Sequence, residues 1–268
     1  MVFTTKPQFC PETFHQTTRP HIPRNRYLRN HYQTPHPMPT YNIIGDIHGR
    51  DTWKRLVDDN CVNVFVGDYF DPYLDFTIEE LERNFMEIVE YKRKHRKNTV
   101  LLYGNHDMDY LPDIPEYNSR YDEENAFWIQ QLFTASEWLF HGVAYAIGDN
   151  YLVTYAGVTN EWKETYLPGV RSIRPANMAK AINSLWKKDK RPFTFSPNSN
   201  GFDHYGEDTR HSPLWVRPGS LCFDNLYKGT TVKQIVGHTR VKEVCEVAGV
   251  ILVDCLDMEE QSYKVTCP

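Results

Sequence analysis

No run in the 268 residues approaches the roughly 18 consecutive apolar side chains that a membrane-spanning helix requires. No short apolar core of secretory type follows the amino terminus, so no leader peptide is expected. Cysteine is sparse and scattered: Cys10, Cys61, Cys222, Cys245, Cys255 and Cys267 form no C-x-x-C pair. That spacing excludes a zinc knuckle and a thioredoxin-type redox site. Cys245 and Cys255 lie in apolar, strand-like runs and read as small buried hydrophobes. Reduced thiols in a cytoplasm are the economical expectation. There is no internal repeat. With 40% hydrophobic and 24% charged residues, a collagen-like fibre and a fully disordered chain are excluded as well. The length is enough for one large domain with a core of ordinary size.

The net charge of −5 averages two unlike parts. Residues 1–39 carry Lys6, Arg19, Arg24, Arg26 and Arg29 against the single acid Glu12, a charge of +4, which leaves −9 for residues 40–268. The same 39 residues hold seven of the 17 prolines and four of the 11 histidines. Each proline removes an amide donor and biases its predecessor away from helix. Without apolar periodicity the segment cannot bury enough surface to offset its conformational entropy, so 1–39 is expected to be a disordered basic extension. Met38 stands at its end and is a candidate functional start. Residues 40–268 form the expected domain.

From Thr40 the pattern changes. Residues 41–44, 62–66 and 99–103 read as strands, each running into a glycine-led polar loop. Helices are expected at 51–57 and at 78 to about 97. In the latter, Thr77 and Glu80 form a capping box and Ile78, Leu81, Phe85, Ile88 and Val89 make one apolar face. Further on, helices are expected at 123–140 and 176–187, strands at 143–147, 151–155 and 233–236, and a hairpin from 242–247 and 250–255 through Ala248-Gly249. Alternating strand, loop and helix imply parallel pairing in an α/β architecture, with ligands at the carboxyl ends of the strands. Residues 189–220 form a long loop rich in Pro, Asn, Gly, His and Asp, expected as a polar surface loop. Its functional alternative is a flap whose Asp203, His204, Asp208 and His211 meet substrate.

The strand-end loops deliver Asp46, His48, Asp68, Asp71, Asn105, His106 and His238, each near a glycine. Carboxylate, amide and imidazole donors suit manganese, iron, zinc or magnesium rather than a thiolate-seeking metal. Several acids meeting at one sheet edge repel each other unless cations neutralise them. Two cations bridged by a carboxylate would satisfy this and build a hydrolytic site.

The motifs Gly45-Asp46-Ile47-His48-Gly49, Gly67-Asp68-Tyr69-Phe70-Asp71, Gly104-Asn105-His106-Asp107 and Gly237-His238-Thr239 resemble those of the calcineurin-like metallophosphoesterases. The nearer likeness is to the phosphoprotein phosphatases and the dinucleoside-tetraphosphate hydrolases, and it spans about residues 40–255. The resemblance implies a two-sheet β-sandwich flanked by helices, with two divalent cations at one rim, manganese being favoured. It implies that Asp46, His48 and Asp68 hold the first metal, and that Asp68, Asn105 and His238 hold the second. It gives His106 the part of general acid, with Asp71 orienting it. The implied chemistry is in-line attack on phosphorus by a metal-bridging hydroxide, the leaving oxygen taking its proton from His106.

Two positions depart from the family pattern. Tyr155, in Val153-Thr154-Tyr155-Ala156-Gly157, stands where the family places a histidine ligand of the second metal. Three outcomes are open: coordination as phenolate, water in that position, or a weaker second site. The last is favoured here. Pro72 stands where the family has a phosphate-binding arginine, leaving Arg217 as the best candidate for that contact. Arg50 is a weaker substitute, expected instead to set up the following helix or to pair with an acid. Asp254, at a strand end, is a candidate for orienting a metal-bound histidine from behind. Tyr69 and Tyr73 are candidate pocket residues whose commoner role is packing, and His141 and Trp128 are assigned to packing.

The leading expectation is a metal-dependent phosphatase for a phosphomonoester or phosphoanhydride carried by a small molecule, a nucleotide or a phosphoprotein. Arg240 replaces the second histidine that marks many diesterases in the family, which favours the phosphatase branch. A nucleotide or nucleic-acid phosphodiesterase is the alternative, and a binding module with a degenerate second metal site is the third reading. The acidic body argues against stable nucleic-acid binding outside the active site. No feature of the sequence specifies an oligomeric state.

Overall fold

The computed structural model describes residues 38–112, 114, 120–195 and 207–267. The expectation for the extension therefore falls outside the described residues, apart from Met38 and Pro39, as do Asp203 and His204. The described chain runs β1 (Thr40–Ile44), α1 (Trp53–Leu56), β2 (Val62–Phe65), α2 (Ile78–Lys94), β3 (Thr99–Leu101), α3 (Asn105–Asp109), α4 (Ala126–Ser136), β4 (Ala144–Ile147), β5 (Tyr151–Thr154), α5 (Asn160–Tyr166), α6 (Pro175–Lys188), α7 (Pro218–Phe223), β6 (Lys233–Val236), β7 (Cys245–Val247), β8 (Val250–Leu252) and β9 (Tyr263–Thr266). Short 3₁₀ turns follow α4 at Glu137–Leu139 and α6 at Arg191–Phe193.

Two sheets result, flanked by helices. One is ordered β3-β2-β1-β9 and the other β4-β5-β6-β8-β7. β1, β2 and β3 pair in parallel, as do β5, β6 and β8. The parallel arrangement aligns the carboxyl ends of β1, β2 and β3 at one edge, and those of β5, β6 and β8 at another. Ile43, Ile44, Val64, Phe65 and Leu101 are all fully buried, as strands covered on both faces demand. The edges meet closely. A Cβ on Gly237, just past β6, would overlap the Asp46 carboxylate and press on Val66, so only glycine lets the second sheet come against the first. Buried apolar residues of both sheets and of α2, α4 and α6 belong to one core.

Helix α2 follows the expected logic. Thr77 Oγ1 accepts from Glu80 N at 3.3 Å, and Glu80 Oε2 accepts from Thr77 N at 2.9 Å. Leu81, Phe85, Ile88 and Val89 are buried. Asn84 interrupts that stripe for a reason: it accepts from Trp53 Nε1 at 2.8 Å and donates to the Arg50 carbonyl at 3.0 Å. The helix is thereby fixed to the segment that follows the first motif.

The structure corrects several sequence expectations. α2 ends at Lys94 rather than near 97. The expected helix at 51–57 is a single turn, because Val57 turns extended at the C-cap. The helix expected over 123–140 starts at Ala126 and tightens into a 3₁₀ turn after Ser136. The hairpin is shorter than expected at both arms. Cys255 is buried but Cys245, on the edge strand β7, is only half-buried. Trp128 is largely exposed, its Nε1 donating to Glu82 across α2. The described cysteines, Cys61, Cys222, Cys245, Cys255 and Cys267, are all free. Among the described residues no helix is long and apolar enough to cross a membrane.

Candidate metal centre

Each chemistry-bearing loop begins where a strand ends, and each bends sharply. His48, Asp68, Asp71 and His238 all have left-handed backbones, with φ of 43°, 53°, 55° and 65°. Non-glycine residues avoid this region, and they persist there only where the surroundings over-determine them. Here the surroundings do. His48 N donates to the Asp68 carbonyl at 2.6 Å and Gly49 N to the Tyr69 carbonyl at 3.0 Å, stitching the first loop to the second. Asp107 stitches the second to the third, its carboxylate accepting from the backbone N–H groups of Asp68, Tyr69 and Gly104, each at 2.8 Å. The turns direct the side chains of three parallel strands to one point.

At that point Asp46, His48 and Asp68 offer ligand atoms that all lie within 4.8 Å of one another. His48 Nε2 is 3.5 Å from Asp68 Oδ2 and 4.0 Å from Asp46 Oδ2. Its other ring nitrogen, Nδ1, bonds the Phe70 carbonyl at 2.9 Å. That bond fixes the tautomer with the proton on Nδ1 and leaves the Nε2 lone pair facing the carboxylates. His238 is held by the same logic with the nitrogens exchanged. Nε2 bonds the Trp215 carbonyl at 3.1 Å, while Nδ1 lies 3.2 Å from Asn105 Oδ1. The His238 N–H points to both Asp46 oxygens at 3.2 Å. Asn105 opens α3 directly after β3, and the next residue's N–H donates to Asp68 Oδ1 at 3.0 Å.

The electrostatics fit a cation. Burial, then the charge of Asp254, pushes the Asp46 carboxyl well above the usual carboxylate range. Burial, then Asp46 and Asp107, does the same to Asp68. Burial first, then the neighbouring His106, lowers the His48 imidazole to about 3. Burial and Arg217 lower His238 well below its ordinary value. Acids that resist ionising beside imidazoles that resist protonating are what a positive charge at the centre would relieve. The donor set of oxygen and imidazole nitrogen suits a divalent first-row metal or magnesium.

A second cluster adjoins the first. His106 Nδ1 and Asp71 Oδ2 are 2.8 Å apart. Asp71, His106 and Asp109 bring ligand-type atoms together in the same way as the first group. The other Asp71 oxygen accepts from the Tyr110 hydroxyl.

Tyr155 follows β5 and is fully buried. Its hydroxyl lies 2.6 Å from Asp46 Oδ2 and also contacts Asp68 Oδ2. Its ring meets that of His238 edge-on at 5.2 Å. Burial, then the charges of Asp46 and Asp68, raises the phenol well above its ordinary value, so it stands as a neutral donor to the two carboxylates. Asp68, Tyr73, Asn105, His106, Arg120, Tyr155, Trp215, Arg217 and His238 line a cavity of about 120 Å³ over these groups.

The remaining candidates separate. Arg217 Nη1 donates to the His238 carbonyl at 2.9 Å and to Thr239 Oγ1 at 3.1 Å, which places its guanidinium on the cavity wall. Arg50 is buried and paired with Asp257, the acid-pairing alternative. Asp254 is buried, and among the described residues it shows no hydrogen bond to a histidine. It lies behind Asp46, where its own carboxyl is pushed up to about 6 by burial against the pull of Arg50, Arg240 and Arg217. Tyr69 belongs to the core and Tyr73 to the cavity, edge-on to His48 at 4.8 Å. Of the long loop's candidates, Asp208 pairs with Arg210, and His211 is buried against Phe195. Sequence reasoning missed Asp107, Tyr110, Tyr73's neighbour Arg120, and Trp215. Only Asp107 carried a signal, as the acid three residues after Gly104 at a helix start.

The family model for calcineurin-like phosphoesterases matches residues 40–241. The chain belongs to that family. It is accordingly a metal-dependent phosphoesterase with the two-sheet fold, and the groups Asp46, His48, Asp68 and Asp71, His106, Asp109 are candidates for holding the metal. Among solved structures, a cold-active protein-tyrosine phosphatase of a psychrophilic Shewanella species has 19% identity, with 81% of this chain and 71% of that chain covered and a TM-score of 0.52. A serine/threonine phosphatase from Saccharomyces cerevisiae has 16% identity over 81% of this chain and 67% of that chain, with a TM-score of 0.45. The first likeness bears on fold. No match was found among curated protein sequences.

Proposed function

We propose that this phosphoesterase is a phosphatase cleaving a phosphomonoester or phosphoanhydride, with His106 as general acid. The observation that carries the reading is His106 held by Asp71 at 2.8 Å on the wall of the cavity that also receives Asp68, Asn105 and His238. Asp46, His48 and Asp68 would hold one divalent cation, and Asp68, Asn105 and His238 a second, with manganese the favoured ion. Such cations supply Lewis-acid charge and a low pKa for water. The protein's own part is proton transfer and grip. His106 would give Nδ1–H to Asp71 and deliver a proton from Nε2 to the leaving oxygen. Tyr110 holds the far oxygen of Asp71, so the carboxylate cannot turn away. Arg217, anchored on the His238 carbonyl, faces the phosphoryl oxygens.

The cavity is far smaller than the roughly 300–1,000 Å³ of sites that engulf a drug-sized ligand. It suits a phosphoryl group whose carrier stays outside, whether small molecule, nucleotide or phosphoprotein. Arg240 in place of a second histidine favours the monoester over the diester. The free cysteines suit a reducing cytoplasm.

The test is turnover of p-nitrophenyl phosphate with Mn²⁺ by the wild type, His106→Asn and Asp68→Asn. Loss of the general acid should cost about 10²–10⁴-fold on an alkyl phosphate and less on the aryl ester, whose leaving group needs little protonation. Absence of metal-dependent turnover across a range of metals would overturn the reading. Faster hydrolysis of bis-p-nitrophenyl phosphate would transfer it to the diesterases.

A further inference from the structure

Pro72 leaves the second motif without a cationic side chain, yet the residue after it is not idle. Two guanidiniums lie over the Tyr73 ring, with Arg120 Cζ 3.3 Å from its centroid and Arg240 Cζ 4.4 Å. The two arginines differ in what else they do. Arg240 is tied to Asp257 at 3.3 Å, the acid that also pairs with Arg50. Arg120 makes no ion pair with any described residue, and it lines the cavity together with His106, Asn105 and Arg217. A guanidinium stacked on an aromatic ring uses its face for the stack. Its N–H donors lie in the plane and remain available at the edge, in the fork that matches two phosphoryl oxygens.

The backbone is built to hold it. Arg120 is left-handed, with φ of 83°. The next two residues are pinned by one side chain: Tyr121 stacks on Tyr110 at 5.1 Å, and Asp122 N donates to the Tyr110 hydroxyl at 3.0 Å. That hydroxyl donates in turn to Asp71, the carboxylate that holds His106. One tyrosine therefore fixes both the proton donor and the segment that carries Arg120.

We infer that Arg120, laid on the Tyr73 ring, is a substrate-binding guanidinium that grips the phosphoryl oxygens in the place left without a cation by Pro72. The inference rests on the phosphatase reading above. Tyr73 is the positioning residue, acting through Arg120.

The test uses the full chain loaded with Mn²⁺ and inorganic phosphate as the probe, its binding followed by calorimetry and by competitive inhibition of p-nitrophenyl phosphate hydrolysis. Arg120→Ala is expected to weaken phosphate about tenfold to a hundredfold, the range for a charge-assisted contact, with kcat/KM falling in parallel. Arg120→Lys should recover part of this, since it restores the charge without the fork. Tyr73→Phe keeps an aromatic ring under Arg120 and should bind phosphate more tightly than Tyr73→Ala. Tyr73→Ala should approach Arg120→Ala and add little to it in the double variant. Mn²⁺ affinity should be unchanged in the Arg120 variants, and Arg96→Ala, whose guanidinium packs on Trp138, should behave as wild type. Equal phosphate affinity and kcat/KM in wild type and Arg120→Ala would overturn the inference while the phosphatase reading stands. The converse is also separable. A wild type that binds phosphate through Arg120 but hydrolyses no ester with any metal would sink the phosphatase reading and keep the Arg120 site.

Discussion

Replacing Tyr155 tests how the second metal position is built. One phenol proton faces two buried carboxylate oxygens, on Asp46 at 2.6 Å and on Asp68. Removing one partner of a buried hydrogen bond, so that the other is left unsatisfied, costs about 1–3 kcal/mol. For a domain of this size each kcal/mol shifts Tm by roughly 2–4 °C. Tyr155→Phe should therefore lower the Tm of the metal-free protein by about 2–12 °C, with little effect on the affinity of the second metal because no ligand is gained or lost. Tyr155→His differs in kind. The shorter imidazole withdraws from Asp46 and presents a nitrogen near His238, whose ring now meets the tyrosine ring at 5.2 Å. Removing even an indirect support of a metal site changes affinity about 10–100-fold, so adding a direct ligand should tighten the second site at least tenfold. Calorimetric titration of Mn²⁺ into chelator-stripped protein measures this. Wild type should show one tight and one weak site, Tyr155→Phe the same pattern, and Tyr155→His two tight sites. Identical stoichiometry and affinities for wild type and Tyr155→His would refute the reasoning, because Tyr155 would then not stand at a ligand position.

Two further outcomes follow from the same geometry. Mn²⁺ at about 100 times its Kd should stabilise the chelator-stripped protein by about 2.7 kcal/mol, or roughly 5–11 °C in Tm. Differential scanning fluorimetry should show that shift abolished in Asp68→Asn, and a shift of equal size in that variant would remove Asp68 from the metal site. Gly104→Ala should lose metal binding, because the added Cβ overlaps Asp68 Oδ1 and the Asp68 backbone nitrogen and displaces the carboxylate from the centre. Here circular dichroism checks the fold and the Mn²⁺ titration checks the site. Retained two-site binding would show that the loop yields more easily than the close approach implies.

The parts of this site that the sequence announces are those in which one short segment carries both the scaffold and the chemistry. Asp46, Asp68 and Asn105 each follow a strand and a glycine within a few residues, so strand, turn and candidate ligand are read together. The capping box of α2 is equally local, four consecutive residues satisfying each other's backbone. Elements that depend on distant chain are silent. β9 has only four residues and exists because β1, more than two hundred positions earlier, lacks a partner on that side. Asp254 sits at a strand end as expected, but a residue's rank along a strand does not say which neighbour it will meet, and here its charge acts on Asp46. Arg50 was likewise undecidable between phosphate and acid until Asp257 came beside it. Tyr155 was visible as a substitution, while the reach of its hydroxyl to Asp46, 109 positions away, was not.

The same distinction explains how an acidic body can serve an anionic substrate. The −9 carried by residues 40–268 is a formal sum that counts Asp46 and Asp68 as full negative charges at a point where burial opposes their ionisation. Against them the fold assembles Arg120 and Arg217 on the cavity wall, with Arg50 and Arg240 close behind through Asp257. These four arginines come from four separate stretches of chain and form no basic cluster in the sequence. The local field that a phosphate meets is therefore set by tertiary placement, in a cavity where low-dielectric walls strengthen each charge. Net charge, read from composition alone, carries the wrong sign for this site.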